Sequence, residues 1–178
     1  MSWFMLRLRP VILVIVLLTA SCRGEKTRQT TDALLSLEAV VHATDSVNAL
    51  ADAAQVELRT AEVDRLVALA VEKGDTLAEA DARLLHRWAQ LATQMRASLV
   101  RKARINEECA RTLTQLNALR ADLQNGTIPV DSVQRHIDTE FQYVQSLNEA
   151  MNDNRTAIDT CMALFDELLP EVRVILDE

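Results

Sequence analysis

The fold is decided by residues 84–123, which read LLHRWAQLATQMRASLVRKARINEECARTLTQLNALRADL. Apolar residues recur in this stretch at alternating steps of four and three, and no proline or glycine interrupts them. Such a heptad seam predicts one long helix that packs against partner helices. The seam positions are Leu84, Trp88, Leu91, Met95, Ser98, Lys102, Ile105, Cys109, Thr112, Leu116, Leu119 and Leu123.

Two further amphipathic runs flank this seam, a regular one from Val133 to Ile175 and a less regular one before it. Together they predict three helices, at about residues 32–73, 76–124 and 132–176. Short breaks between helices favour antiparallel neighbours. The predicted fold class is therefore all-α, an elongated antiparallel three-helix bundle with coiled-coil-like heptad packing over residues 32–178.

The predicted register of the hairpin follows from folding the second helix onto the third about residues 125–130. With Leu123 opposite Val133, the two seams stay in phase for eleven layers, and the polar residue Lys102 meets the polar residue Asn154. A buried polar layer of this kind fixes register in coiled coils. The same register places the cysteines Cys109 and Cys161 about 21 Å apart. A disulfide requires Cα atoms within about 7 Å, so we predict two small core residues, with an intermolecular bridge or a reactive thiol as alternatives.

Helix ends are indicated by capping residues. Lys73-Gly74 is typical of a helix C-terminus, and Thr76 with Glu79 has the spacing of a capping box. Asp131 is predicted as the N-cap of the third helix. Thr44-Asp45-Ser46 is predicted to fray or kink the first helix, since these residues prefer caps to helix interiors. Pro170 is predicted to kink or end the third.

Composition narrows the class of function. The chain has 178 residues, 3% aromatic residues, three glycines and three prolines, and a formal charge of −7. Removal of residues 1–21, argued below, takes away Arg7 and Arg9 and leaves 17 basic against 26 acidic residues, a net charge of −9. Such an acidic surface argues against nucleic acid as a partner and against a basic face for anionic lipid.

The N-terminus has the layout of an export signal. Arg7 and Arg9 precede Pro10, and the ten residues Val11–Ala20 are apolar apart from Thr19. Ten helical residues rise about 15 Å, which is too short for the roughly 30 Å of hydrocarbon in a bilayer. The apolar segment ends in the small residues Thr19, Ala20 and Ser21. This order predicts a cleaved secretory signal over residues 1–21 rather than a transmembrane helix.

The tetrad Thr19-Ala20-Ser21-Cys22 resembles the lipobox of bacterial lipoproteins, with Thr19 where that pattern prefers leucine. The resemblance covers residues 1–22 only. It implies cleavage before Cys22, a diacylglyceryl thioether on its sulfur and acylation, as with palmitate, of the new amino terminus. Arg23 follows, and in enteric bacteria a residue other than aspartate there favours the outer over the inner membrane. A plain signal peptide with an incidental cysteine and an uncleaved anchor are the alternatives.

Residues 22–31 are predicted to form the lipidated N-terminus and a polar, flexible tether, because no apolar residue follows Cys22 before Thr31. Three triplets, Asp45-Ser46-Val47, Asp75-Thr76-Leu77 and Asp131-Ser132-Val133, resemble an O-glycosylation acceptor of exported proteins in Bacteroides-type bacteria. The resemblance implies Ser46, Thr76 and Ser132 as acceptors, whereas two of the triplets also stand where helix N-caps are required.

No constellation of catalytic or metal-binding residues is evident. The histidines His42, His86 and His136 lie apart, no Cys-x-x-Cys-His or Glu-x-x-His motif occurs, and each glycine is isolated. We therefore predict no enzyme activity, no cofactor and no metal. The expected function is a membrane-anchored lipoprotein whose bundle binds or scaffolds another envelope protein, with homo-oligomers as a variant. The alternative is a periplasmic chaperone or inhibitor that holds a client protein in a helical groove.

Overall fold

The structure, a computed structural model, describes the backbone of residues 5–73 and 78–177 and the side chains of residues 24–73 and 78–177. This part of the chain contains helices and no strand, and the helices pack on one another. The predicted all-α helical bundle is therefore confirmed. The described residues form four helices: α1, Met5–Ala49; α2, Ala53–Lys73; α3, Glu79–Gln124; and α4, Val130–Leu176.

The chain divides into two compact units. The first comprises Met1–Val41 and Arg111–Val144, and the second comprises His42–Ala110 and Gln145–Glu178. In the second unit, the α2 residues Arg59 and Lys73 pair with Asp166 and Asp177 of α4. Because both helices advance in the same direction between these pairs, α2 runs parallel to α4.

The first unit packs α1 against the end of α3 and the start of α4. Each fully buried leucine or valine contributes about 1.5–3 kcal/mol through removal from water. Arg120 of α3 donates to the carboxylate of Glu38 on α1 at 2.9 Å, and this carboxylate is mostly buried. The buried residues are Thr30, Leu34, Leu37, Val41, Thr112, Leu116, Leu123, Val133, Ile137 and Val144.

The turn between α3 and α4 is built on a left-handed glycine. Gly126 has φ 67°, its N–H donates to the carbonyl of Leu123, and the N–H of Thr127 donates to the carbonyl of Asp122. This is the Schellman arrangement that ends a helix. The predicted start of the last helix is two residues late, because the carbonyl of Pro129 already accepts from Ser132 and Val133. Asp131 consequently lies in the first turn of α4 rather than at its N-cap.

The predicted flexible tether differs from the structure over residues 24–31. These residues continue α1, and Thr30 is only 4% exposed. Polar side chains are satisfied within the helix, since Thr31 donates to the carbonyl of Thr27 and Gln29 donates to the carboxylate of Glu25. Among the described side chains of the first unit, Thr30 is the first along the chain that is buried.

The predicted signal segment, residues 1–21, and the Cys22 side chain lie outside the described side chains. Among the described residues, no helix combines the length and the apolar character that crossing a membrane requires. The predicted Thr76–Glu79 capping box involves residues 74–77, which also lie outside the described part.

The first predicted helix is interrupted at residues 50–52, and not at Thr44–Ser46. The N–H of Leu50 donates to Val47 and the N–H of Ala51 donates to Asn48, which tightens the end of α1. The carboxylate of Asp52 then accepts from the N–H of Gln55 at 3.1 Å and caps α2. Thr44 lies within α1, and its hydroxyl donates to the Asn148 amide oxygen at 3.2 Å.

The seam predicted on α3 is the buried face of that helix. Nine of its twelve positions are buried, while Leu84, Lys102 and Leu119 are half-buried. In the second unit Trp88 is 0% exposed and packs on Phe165 with ring centroids 5.1 Å apart. The Arg59 guanidinium covers the Phe165 ring at 5.0 Å and donates to Asp166 at 3.1 Å.

Glu62 joins α2 to α4 in the second unit. Its carboxylate accepts from Arg65 at 2.9 Å and from Arg173 of α4 at 3.0 Å. The hydrogen bond from Arg65 is the main cause that lowers the pKa of Glu62 to about 2; partial burial opposes this shift and Arg173 reinforces it. The ionised carboxylate therefore stabilises the fold above its unfolded pKa near 4.5, and this contribution is lost as the pH falls towards 2.

We expect Glu62→Gln to lower the free energy of unfolding by about 1 kcal/mol at neutral pH, allowing for solvent screening. Near pH 2 the difference between variant and parent should be much smaller than at neutral pH, because a large fraction of the carboxyl is then protonated. Urea titrations at both pH values measure this, with Glu57→Gln on the exposed side of α2 as the control. An equal difference at the two pH values would contradict the assignment.

Candidate functional site

The structure describes the side chains of only some of the residues predicted to be modified. Ser46 is exposed within α1, and its hydroxyl donates to the carbonyl of His42 at 2.8 Å. Ser132 is half-buried in the first turn of α4, where its oxygen accepts from Arg135 at 3.4 Å. Cys22 and Thr76 lie outside the described side chains. Ser46 belongs to the second unit and Ser132 to the first, and their glycosylation stays a prediction.

The ligand candidates are dispersed. His42, His86 and His136 are all exposed, and the amide nitrogen of Gln90 lies 2.9 Å from Nε2 of His86. Within residues 24–73 and 78–177, no three histidine, cysteine, aspartate or glutamate side chains converge to hold a metal ion.

Both cysteines in the described residues are free and buried. Burial is the main cause that raises the pKa of Cys109 to about 11, and the carboxylates of Asp45 and Glu108 reinforce it. Burial also raises the pKa of Cys161. Since the thiolate is the reactive form of cysteine, this environment disfavours the alternative of a reactive thiol.

A buried polar layer lies in the second unit, but it differs from the predicted pair of Lys102 with Asn154. The Asn154 amide donates to the carbonyl of Ser98 at 3.1 Å, whereas the Lys102 ammonium donates to the carbonyl of Asn48. The Asn48 amide in turn donates to the carbonyl of Lys102 at 3.1 Å and to the amide oxygen of Asn106. The layer therefore involves α1 as well as α3 and α4.

The position of the Lys102 ammonium has a physical reason. α1 ends at Ala49, one residue after Asn48, and the last carbonyls of a helix have no partner within that helix. A cation is favourable at that end of the helix dipole. Lys102 thus satisfies the end of α1 at the interruption before α2.

The Asn154 amide is the least satisfied member of the layer. Asn154 is 0% exposed, and its Oδ1 has no hydrogen-bond partner among the described residues.

We expect Asn154→Leu to raise the free energy of unfolding by about 1 kcal/mol, because the variant removes an unsatisfied buried acceptor. The variant also removes the donor to the Ser98 carbonyl, and that carbonyl lies within helix α3. Chemical denaturation measures this, and Asn154→Ala serves as the control that leaves a cavity. A loss of stability with leucine would show that the amide is net stabilising.

An apolar groove opens between the start of α3 and the end of α4 in the second unit. Its volume is about 520 Å³. α4 passes through Pro170 and continues to Leu176, so Pro170 does not end the helix. Val174 is 77% exposed there. The lining residues are Ala80, Asp81, Leu84, Pro170, Glu171, Val174 and Ile175.

A second hollow of about 530 Å³ lies further along the same two helices. It is lined mainly by small residues, including Ala97, Ser98, Thr156 and Ala157, with Arg101 and Asp153 among the others. Residues fourteen apart share a heptad position, which places both hollows on one face of the α3–α4 pair. Such matched pairs are Ala80 and Gln94, Leu84 and Ser98, Thr156 and Pro170, and Thr160 and Val174.

We call this face the α3–α4 groove, spanning residues 80–101 of α3 and 153–175 of α4. Among the described residues that line its α3-start end, Asp81 and Glu171 are acidic and none is basic. Of the neighbouring arginines, Arg83 pairs with Glu79 at 2.8 Å and Arg173 donates to Glu62 of α2, whereas exposed Arg87 shares the heptad position of Ala80 and Gln94. The lining of the α3-start end is therefore mainly apolar, with two carboxylates.

Comparison of the chain with models of protein families, with curated proteins and with solved structures found no match. The α3–α4 groove was not predicted from the sequence, although alanines beside the seam at positions 80, 97 and 157 and a valine at surface position 174 are its sequence signal.

Proposed function

We propose that the chain is a lipid-anchored lipoprotein of the bacterial cell envelope, at the outer membrane, whose helical bundle is a binding or scaffolding module for another envelope protein. The tetrad Thr19–Cys22, placed directly after a basic and then apolar segment, carries this proposal. Acyl chains on Cys22 provide the anchor, since several chains bind a bilayer stably where one is marginal.

The start of packing in the first unit supports a close attachment. Thr30 is buried eight residues after Cys22, and eight helical residues span about 12 Å. The anchored module would thus begin at the headgroup layer without a long tether. The turn that contains Gly126 neighbours this end, since Lys26 of α1 pairs with Asp131 at the start of α4 at 3.5 Å.

Binding rather than catalysis is favoured by how the apolar side chains are used. The apolar seam residues are buried where the helices pack on one another. Trp88, Leu91 and Met95, for example, are at most 2% exposed. The remaining surface available for a partner is charged or lies in the open α3–α4 groove. We accordingly propose no enzyme activity and no cofactor.

Metabolic labelling with an alkyne fatty acid, followed by membrane fractionation of the native host, tests the proposal. We expect the full-length gene product to carry the label and to sediment with the outer membrane. Unlabelled protein in the soluble periplasmic fraction, or unlabelled protein in the inner membrane, would contradict it.

The chaperone or inhibitor alternative has one observation in its favour. Several large apolar side chains of the second unit are more than 60% exposed: Leu50, Leu58, Val71, Val100 and Val174. A client-holding protein presents such residues as a contiguous patch. Aggregation of a chemically unfolded client protein distinguishes the two functions, since a chaperone suppresses the aggregation and a scaffold leaves it unchanged.

A further inference from the structure

We propose that residues 42–52, which lead from α1 to α2, form a strap that opens locally while the apolar core of the second unit stays folded. We call these residues the junction strap; all of them belong to the second unit. The inference goes beyond the proposed function and does not depend on lipid anchoring. It is carried by the polar contacts that hold the strap, by the helix end within it and by the thiol beside it.

The contacts that bury the junction strap are polar. From residue 42 to residue 55 the buried side chains are Thr44 and Asn48, and the next buried residue is the apolar Val56 of α2. Thr44 donates to the Asn148 amide oxygen, and Asn48 donates to the Lys102 carbonyl. Water replaces such partners when the strap opens. These hydrogen bonds therefore contribute less net stability than the burial of large apolar side chains.

The junction strap also contains a helix end. α1 ends at Ala49 and α2 begins at Ala53, so the last residues of the strap lie outside both helices. Leu50 there is 72% exposed. The last carbonyls of a helix lack partners within it, and helix termini open at lower cost than helix interiors. The Lys102 ammonium, which donates to the Asn48 carbonyl, is a side-chain contact that holds this end.

The neighbouring core is apolar and holds α2 without the strap. Val56, Val63 and Leu66 of α2 are at most 1% exposed, and they belong to one apolar cluster with Leu168 of α4. The strap residue that packs against this cluster is Ala51, which is only partly buried. Local stability follows the density of buried apolar contacts. The strap is therefore the part of the second unit that opens first.

Opening of the junction strap uncovers a buried thiol. Cys109 of α3 is 0% exposed. The Asn48 amide donates to Asn106, three residues before this cysteine. Burial raises the pKa of the Cys109 thiol, and the carboxylate of Asp45 in the strap adds to this increase. The last helical turns of the strap therefore lie beside Cys109, and alkylation of this thiol reports opening.

Alkylation of the full-length protein with N-ethylmaleimide tests the strap. Mass spectrometry measures the label on the Cys109 peptide over time, in urea concentrations below the unfolding transition. We expect the logarithm of the labelling rate to rise with urea at less than about half the slope of global unfolding, because local opening exposes only part of the surface. A slope equal to that of global unfolding, or no labelling of folded protein, would overturn the inference.

A variant of Lys102 tests the contact at the end of α1. Lys102→Met removes the ammonium that donates to the Asn48 carbonyl. We expect about tenfold faster labelling of Cys109, because a hydrogen bond to a charged group is lost. Lys73→Met is the matched control, since it removes an ammonium paired with Asp177 at the end of α2, and it should leave the rate unchanged. An unchanged rate in Lys102→Met would refute the role of this contact and the strap with it.

Leu168→Ala separates local opening from global unfolding. Leu168 is 4% exposed in the apolar core, and its truncation should raise the equilibrium constant of unfolding by about 30-fold or more. Since strap opening leaves this core folded, the labelling rate of Cys109 should stay at the parent value. A rate that rises with the unfolding constant would show that Cys109 is reached through global unfolding. Circular dichroism verifies that each variant is folded.

Discussion

Replacing Trp88 with alanine is expected to lower the free energy of unfolding by about 3–5 kcal/mol. Trp88 is the largest fully buried side chain in the described residues, and it stacks on Phe165 in the core of the second unit. Removing it leaves a cavity that the helices, held by flanking seam residues, close only in part. Urea denaturation followed by circular dichroism measures the loss.

Two controls separate core packing from other effects. Val174→Ala, at an exposed position, should change stability by less than about 0.5 kcal/mol. Trp88→Phe should cost less than Trp88→Ala, because it retains a ring and removes an indole N–H that has no partner among the described residues. A loss below about 1 kcal/mol for Trp88→Ala would show that this side chain is not part of a packed core.

Replacing Cys22 with serine is expected to abolish fatty-acid labelling and to reduce membrane association roughly 100-fold or more, since each buried methylene contributes about 0.8 kcal/mol to anchoring. A serine oxygen offers no sulfur for the thioether that the lipobox resemblance implies. Immunoblots of membrane and soluble fractions measure the change.

Cys161→Ser is the matched control, because Cys161 is buried among the helices of the second unit and should carry no lipid. This variant should remain in the membrane fraction with its label intact. Full membrane retention of the Cys22→Ser variant would indicate an uncleaved apolar anchor in place of a lipid.

The helical fold could be predicted from the sequence because the apolar spacing that indicates helices is repeated many times. Nine of the twelve seam positions on α3 are apolar, so the exceptions Ser98, Lys102 and Thr112 do not obscure the pattern. Trp88 packs on Phe165 of α4, and a side chain in such a seam inserts between several residues of the facing helix.

The interruption between α1 and α2 was missed because its signal is local. Asp52 and Gln55 have the spacing of a capping box in its aspartate and glutamine form, but they stand inside a run that is apolar at helical intervals. The continuation of α1 through residues 24–31 was missed for the opposite reason. Those residues lack an apolar stripe, and buried Thr30 is the contact that orders them.

The candidate site depends on features that heptad patterns do not encode. Whether Ala80, Ala97 and Ala157 form a groove depends on which neighbours cover them, and that is set by the path of α2. The charge at the α3-start end of the groove depends likewise on Arg173 bonding to Glu62 rather than to a groove carboxylate. Sequence spacing alone fixes neither arrangement.

The intact mass of the protein, extracted from membranes of its native host, tests the central claim most directly. We predict the mass of residues 22–178 plus a diacylglyceryl group and one amide-linked acyl chain. Additional fixed increments would report glycans on Ser46, Thr76 or Ser132. The mass of residues 1–178, or of a cleaved chain without lipid, would contradict the anchoring through Cys22 on which the proposed function depends.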